Sequence, residues 1–196
     1  MNLTTTARVK SLLSNTASSS DAIINMIVSG VSVTIGNYLN RHAEKVARTE
    51  YYDVEPFQQM LQLRGFPVAS SPVAALTNDV NREFTGVTAI DAGDYYLNLA
   101  RGSVEFDQVA LVPGPGVMKV VYTGGLASST SALITAYPEI ALAADLQAAW
   151  LYKRRDVLGT SGISGEGGSI SFDNMVGLIP TVKEMLRPYR LLNVGT

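Results

Sequence analysis

Apolar positions in the first forty residues recur at helical intervals. Val9, Leu12 and Leu13 follow a cluster, Thr4, Thr5 and Thr6, that can cap a short first helix, and a polar stretch over residues 14–20 separates it from a second. From Asp21, the residues Ile23, Ile24, Ile27, Val31, Ile35, Tyr38 and Leu39 keep the helical period, with the acid at the positive end of the dipole. The spacing predicts a helix from residue 21 to about residue 41. Gly30 and Gly36 each cost that helix about 1 kcal/mol relative to alanine, which calls for close packing at those points or a bend.

Between about residues 47 and 123 the pattern shifts to strands. Residues 51–54, 60–63 and 73–80 read as strands. A hairpin follows in which Tyr95, Leu97 and Leu99 share a face, Arg101-Gly102 turns, and Val104 and Phe106 return. Gly114-Pro115-Gly116 reads as a break before a β-branched strand over 117–122 that Gly124-Gly125 closes.

After a Ser/Thr-rich loop the helical period resumes, with Pro138 at the first helical position. Residues 139–156 read as the longest helix, with Glu139 in its first turn and Lys153, Arg154 and Arg155 in its last. Ile140, Leu142, Ala143, Ala144, Leu146, Ala148, Ala149, Trp150, Leu151 and Tyr152 leave almost no polar face. Such a helix must be covered nearly all round, by its own fold or by another subunit. Residues 159–169, with Gly159, Gly162, Gly165, Gly167 and Gly168, have the composition of a flexible linker. Ile170-Ser171-Phe172 follows, then a last helix from about Pro180 that carries Val182, Met185 and Leu186 and ends at Pro188-Tyr189-Arg190.

The pattern as a whole is α+β: a mainly helical core with a small antiparallel β region inserted. We read one domain over 1–196, divided into N-terminal helices (1–46), a β-rich insertion (47–125), a long helix (136–158), a flexible Gly/Ser loop (159–169) and a C-terminal segment with its helix (170–196).

Composition sharpens this. Only 16% of residues are charged, against about 25% in an ordinary soluble domain, while 46% are hydrophobic. No Cys is present, which removes disulfides, thiolate metal sites and thiol catalysis. A net charge of −2 lacks the basic footprint of a protein that neutralises many phosphates. The first residues have neither the basic nor the apolar region of a secretory signal, so we expect the chain to stay in the cytoplasm where it is made. Asp145 and Gln147 interrupt the most apolar stretch, and a membrane span is not expected.

The candidate chemistry is thin. The segment 162–169 approaches the phosphate-loop motif, but Gly168 stands where its lysine must be, and the segment follows a helix instead of a strand. His42, the single histidine, has no Gly-x-Ser-x-Gly elbow to serve and reads as a solvated residue at a helix end. Glu50, Asp53 and Glu55, or Asp91 and Asp94, could form the acid pair of a glycoside hydrolase, which needs carboxyls about 5 to 9.5 Å apart; the plainer reading is charge that protects a strand edge. Tyr51, Tyr52, Tyr95 and Tyr96 lack the interleaved basic residues of a base-stacking surface and read as sheet packing. We expect no catalytic residues, no metal and no cofactor. Lys153-Arg154-Arg155 suits either the helix dipole or an interface with an acidic surface.

The order of features carries a resemblance. A Leu-Thr-Thr opening, the helix from Asp21, Arg64-Gly65-Phe66-Pro67-Val68, Asp94-Tyr95-Tyr96-Leu97 and Arg101-Gly102 come first. Val120-Val121-Tyr122-Thr123-Gly124-Gly125, Trp150-Leu151-Tyr152-Lys153-Arg154-Arg155-Asp156 and Leu186-Arg187-Pro188-Tyr189-Arg190 complete the series. Together they resemble the small head-tail connector (adaptor) proteins of tailed bacteriophages, with relatives in prophages and gene transfer agents.

The resemblance implies a virion protein of the neck, assembled in the host cytoplasm. It would form a dodecameric ring on the portal protein, extend the DNA channel, pass double-stranded DNA without binding it specifically, and carry a stopper or tail-completion protein, with no membrane involved. It points to Tyr152, Lys153, Arg154, Arg155, the glycines of 159–169, and Arg187, Tyr189 and Arg190 as contacts with the portal or a neighbouring subunit. The loop 159–169 would order on portal binding. Another virion component (a stopper, tail terminator or decoration protein) and a small carboxylate-dependent hydrolase are the alternatives.

Overall fold

In chain order, the computed structural model contains α1 (Thr6–Leu12), α2 (Asp21–Leu39), β1 (Val46–Val54), β2 (Met60–Gln62), β3 (Ala75–Asn78), β4 (Tyr95–Asn98), β5 (Ser103–Phe106) and β6 (Gly114–Gly124). These are followed by α3 (Thr130–Ala136), α4 (Pro138–Arg154), β7 (Gly162–Gly165), β8 (Gly168–Ser171) and α5 (Pro180–Leu186). The structure describes residues 1–14, 17–107, 109–155, 162–165, 168–171 and 177–191. The chain is α+β and divides into a helical unit, residues 1–39 with 130–190, and a β unit, residues 40–129 with 191–196.

In the helical unit, Thr5 caps α1 by accepting a bond from the Arg8 amide at 3.4 Å. The periodic residues Ile24, Val28, Val31, Ile35 and Leu39 of α2 are buried, as are Leu133 of α3, Ile140 of α4, and Val182 and Leu186 of α5. Ala141, Ala143, Ala144, Ala148 and Ala149 line the inner side of α4, and their small side chains let α1, α2, α3 and α5 approach it. Two buried polar residues of α4 are satisfied by distant segments. Asp145 accepts from Arg8 Nη2 at 2.6 Å, from Arg8 Nε at 3.0 Å and from the Thr4 hydroxyl. Gln147 donates to the Gly177 carbonyl at 3.3 Å and accepts from the Ile179 amide at 3.0 Å, fixing the approach to α5.

Several expectations change here. α2 ends at Leu39 because Asn40 turns left-handed, with φ of 52°. At 19 residues it exceeds α4, at 17. It is also long and apolar enough by composition to cross a membrane, contrary to the expectation drawn from the stretch around Asp145. A side chain at Gly30 or Gly36 would meet none of the described residues within 4 Å, so packing among them does not require either glycine. α3 occupies part of the segment read as a Ser/Thr-rich loop. Gly162–Gly165 pairs antiparallel with Gly168–Ser171, Ile163 opposite Ile170, where composition suggested a linker; the rest of 159–169, Gly159 and Gly167 included, lies outside the described residues.

The β unit holds two three-stranded antiparallel sheets, β1-β6-β3 and β2-β5-β4. Their shared core includes Val54, Leu63, Leu76, Tyr95, Leu97, Val104, Met118, Val120 and Tyr122. β3 is shorter than the expected 73–80, because the Asp79 carboxylate takes the Asn81 and Phe84 amides at 2.9 and 2.8 Å and turns the chain. The hairpin turn spans residues 99–102 instead of Arg101-Gly102 alone: Asn98 pairs with Ser103, and Leu99 is exposed instead of sharing the face of Tyr95 and Leu97. Gly114-Pro115-Gly116 begins β6 instead of breaking the chain. The ladder shifts register opposite Asp53, whose carboxylate takes the Gly116 amide at 2.7 Å, and this irregularity accommodates Pro115.

The two ends of the stretch 40–129 are tied together within the β unit. Lys45 N donates to Ala127 O at 2.8 Å and Ala127 N to Ala43 O at 3.1 Å. Gly125 makes this approach possible: its φ is +138°, and a side chain there would overlap the Glu44 carbonyl.

Candidate interaction surfaces

Glu50 ties two tyrosines and a histidine together in the β unit. Alternate residues of β1 turn inward, placing Arg48, Glu50, Tyr52 and Val54 on one face. Glu50 Oε2 accepts from Tyr122 Oη at 2.8 Å and from the Tyr52 hydroxyl. The two hydroxyls accept in turn from backbone amides, Tyr122 from Gly65 at 2.7 Å and Tyr52 from Arg64 at 3.3 Å. The carboxylate therefore pins the 64–67 segment onto β1 and β6. Arg41 secures the same segment by donating to the Phe66 carbonyl, with its guanidinium 3.4 Å from the Phe66 ring centroid.

His42 belongs to this node and not to a helix end. Its amide donates to Arg64 O at 3.1 Å, and Nε2 stands 2.8 Å from Glu50 Oε1. Burial, with help from Arg48, holds the imidazole below its ordinary pKa, against the pull of Glu50. Burial and the bond to Glu50 push the Tyr52 and Tyr122 phenols well above theirs. Glu50 is thus a mostly buried structural anchor, where the sequence suggested an edge-protecting charge. Among the described residues no group of three or more His, Asp or Glu could hold a metal ion.

The residues expected at an interface fall into separate groups. At the end of α4, Tyr152 Oη and Ser20 Oγ share a bond of 2.8 Å, Arg155 stacks 3.9 Å from the Tyr152 centroid, Arg154 lies 4.7 Å from that of Trp150, and Lys153 is exposed. At the other end, Tyr189 donates to Glu139 at 2.8 Å and meets the Tyr137 ring edge-on, and Arg190 lies 5.1 Å from the Tyr38 centroid. Arg187 makes an exposed pair with Glu184 at 3.7 Å. Glu139 and Lys153 are about 20 Å apart along the helix, so these are two patches and not one. Gly162, Gly165 and Gly168 lie at the ends of the β7–β8 hairpin strands.

Two further apolar surfaces are exposed. Outside its buried stripe, α2 presents Ala22, Ile23, Met26, Gly30, Val33 and Asn37, with Met26 67% and Val33 65% exposed, and residues 22–40 contain no charge. In the β unit, a turn after β1 carries Phe57 at 101% exposure with φ of 63°. The signal for this second surface was an uncharged run over 108–118 beside the Pro56-Phe57 turn.

No family model matches the chain, and no curated protein does. Solved structures do. The fold is shared with a chain in the neck of an empty gene transfer agent (GTA) particle computed with C6 symmetry, at TM-score 0.61 and 21% identity over 96% of this chain and 90% of that one. It is shared with a chain in the virion of a native GTA particle, at TM-score 0.58 and 20% identity over 89% and 79%. It is also shared with a chain in the neck of a native GTA particle computed with C12 symmetry, at TM-score 0.56 and 21% identity over 89% and 85%.

Proposed function

We propose that this chain is a structural protein of a virion neck, a head-tail connector subunit without catalytic activity. It assembles as a ring on the portal, prolongs the DNA channel and offers a platform to the stopper or tail-completion protein. The observation that carries this reading is the fold shared with a GTA neck chain over 96% of the sequence. The sequence motifs support it independently, since they occur in connector order from Leu3 to Arg190. The uncharged outward face of α2 supports it physically. An apolar surface of that kind is costly in a free monomer and is stabilised when neighbouring subunits cover it. The small net charge of −2 suits a conduit, because a strongly basic lumen would hold the DNA it must release.

Deleting the gene from a particle that encodes this chain tests the reading. Electron micrographs should show DNA-filled heads without tails, and the added protein should restore tail joining. Normally tailed particles from the deletion would overturn the proposal.

A further inference from the structure

The Phe57 turn lies at the end of the β1–β6 ladder opposite the Lys45–Ala127 pairing, about 25 Å along the strands. Its shape is fixed. Gln58 N donates to Glu55 O at 3.2 Å, Glu55 N to Gln58 Oε1 at 2.9 Å, and Gln58 Nε2 to Met60 O at 2.8 Å. These bonds hold a bulky residue left-handed and wholly in solvent, where its ring packs on nothing in its own unit. Beside the ring runs a groove of about 370 Å³ lined by Pro56, Phe57, Val109, Leu111 and Pro113, among others.

The two segments that form this tip carry one sign, with Arg82 in the neighbouring loop after β3. Residues 53–60 and 105–116 contain Asp53, Glu55, Glu105 and Asp107, all exposed, and no Lys or Arg. An apolar centre with an acidic rim has the anatomy of a protein interface. The acids repel nucleic acid and anionic lipid, and they select a partner with an apolar surface edged by cations.

The helical unit presents such a surface. α4 is buried on most sides, but Leu142, Leu146, Trp150 and Lys153 follow one another at helical spacing along a line that its own unit leaves at least partly open; Leu142 and Lys153 are exposed. The line is apolar for three positions and ends in Lys153 beside Arg154 and Arg155.

We propose that the Phe57 tip of one copy seats on the Leu142–Lys153 line of a second copy, with the tip carboxylates facing the cations at the end of α4. The two patches differ, so the contact is heterologous. Contacts of that kind generate rings when the rotation closes, in keeping with the cyclic symmetry used for necks that contain this fold. The proposal rests on the connector reading for the ring and on the two surfaces for the contact.

The test uses the full chain with p-benzoylphenylalanine in place of Phe57, irradiated at hundreds of micromolar. The expected product is a covalent dimer whose cross-linked peptide joins position 57 to residues 142–155. In sedimentation equilibrium, Phe57→Ser should weaken self-association by about tenfold or more, and its full exposure means that the change removes no internal packing. Glu55→Lys should also weaken association, and Glu55→Lys combined with Lys153→Glu should recover it. A chain that stays monomeric, a cross-link from tip to tip or to any other segment, or no recovery in the charge swap would overturn the contact. Tailless heads on deletion with no 57-to-142–155 cross-link would leave the connector reading standing alone. The cross-link together with normally tailed deletion particles would do the reverse.

Discussion

Tyr122 donates to Glu50 across the β1–β6 ladder at 2.8 Å, and Tyr189 donates to Glu139 at the same distance on the surface. Equal lengths do not mean equal energies. The first bond holds a mostly buried carboxylate and, through the same hydroxyl, the Gly65 amide; the second competes with water. Tyr122→Phe should cost about 2 kcal/mol of stability and Tyr189→Phe less than about 0.5 kcal/mol, as read from urea denaturation midpoints. Similar losses in the two variants would contradict the anchoring role of Glu50.

Asp145 is the corresponding anchor in the helical unit, 4% exposed inside an otherwise apolar helix. Arg8→Met strands that carboxylate with only the Thr4 hydroxyl and should destabilise the chain by about 3 kcal/mol. Asp145→Leu leaves Arg8, which is partly exposed, to rehydrate. Its loss should be the smaller of the two, and thermal melts of both variants check the order.

At alkaline pH, Tyr52 and Tyr122 resist ionisation in the fold, whereas in the unfolded chain they titrate near 10.0. The unfolded state therefore releases protons first, and the stability these groups contribute is present below about pH 10 and lost as the pH rises beyond it. Absorbance at 295 nm should show both phenolates appearing together with unfolding instead of before it (about 295 nm is the phenolate band used as the readout). Early, reversible ionisation of all nine tyrosines in the folded protein would sink the idea.

At acid pH the sign reverses. His42 is held below its ordinary 6.5, so the unfolded chain takes up the proton first. The stability it contributes is present above about 6.5 and declines as the pH falls through the lower folded value. His42→Gln should flatten the fall in denaturation midpoint between about pH 7.5 and pH 5.5; an unchanged slope would assign that fall to other groups.

Gly30 is exposed in α2, and a side chain there would meet none of the described residues within 4 Å. Gly30→Ala should stabilise the isolated protein by about 1 kcal/mol, because helix propensity is then the main remaining effect. A destabilised monomer would mean that another part of the chain packs against position 30.

Much of the fold was legible because it is periodic. The stripe from Ile24 to Leu39, the Pro138 start of α4 and the β4–β5 pair follow from spacing and turn chemistry alone. Other elements depend on partners far away in sequence. Pro115 reads as a breaker until Asp53 is seen to take the Gly116 amide, and Glu50 reads as an edge charge until Tyr122, 72 positions later, is placed beside it. His42 was misplaced for the same reason, since its partner lies in β1. Asp145 left a readable signal, a lone acid on the inner side of an apolar helix. The order of motifs pointed to the fold shared with GTA neck chains, but the Phe57 tip needed a structure, because exposure is a property of the surroundings and not of a residue.

The pairing of Ala43 and Lys45 with Ala127 gives the stretch 40–129 a modular character. Its two ends emerge side by side, so an interruption of the helical unit some ninety residues long closes like a short loop, and the entropy of closure depends little on what lies between. Length can therefore be gained or lost inside the cassette while the helices keep their chain order and their partners.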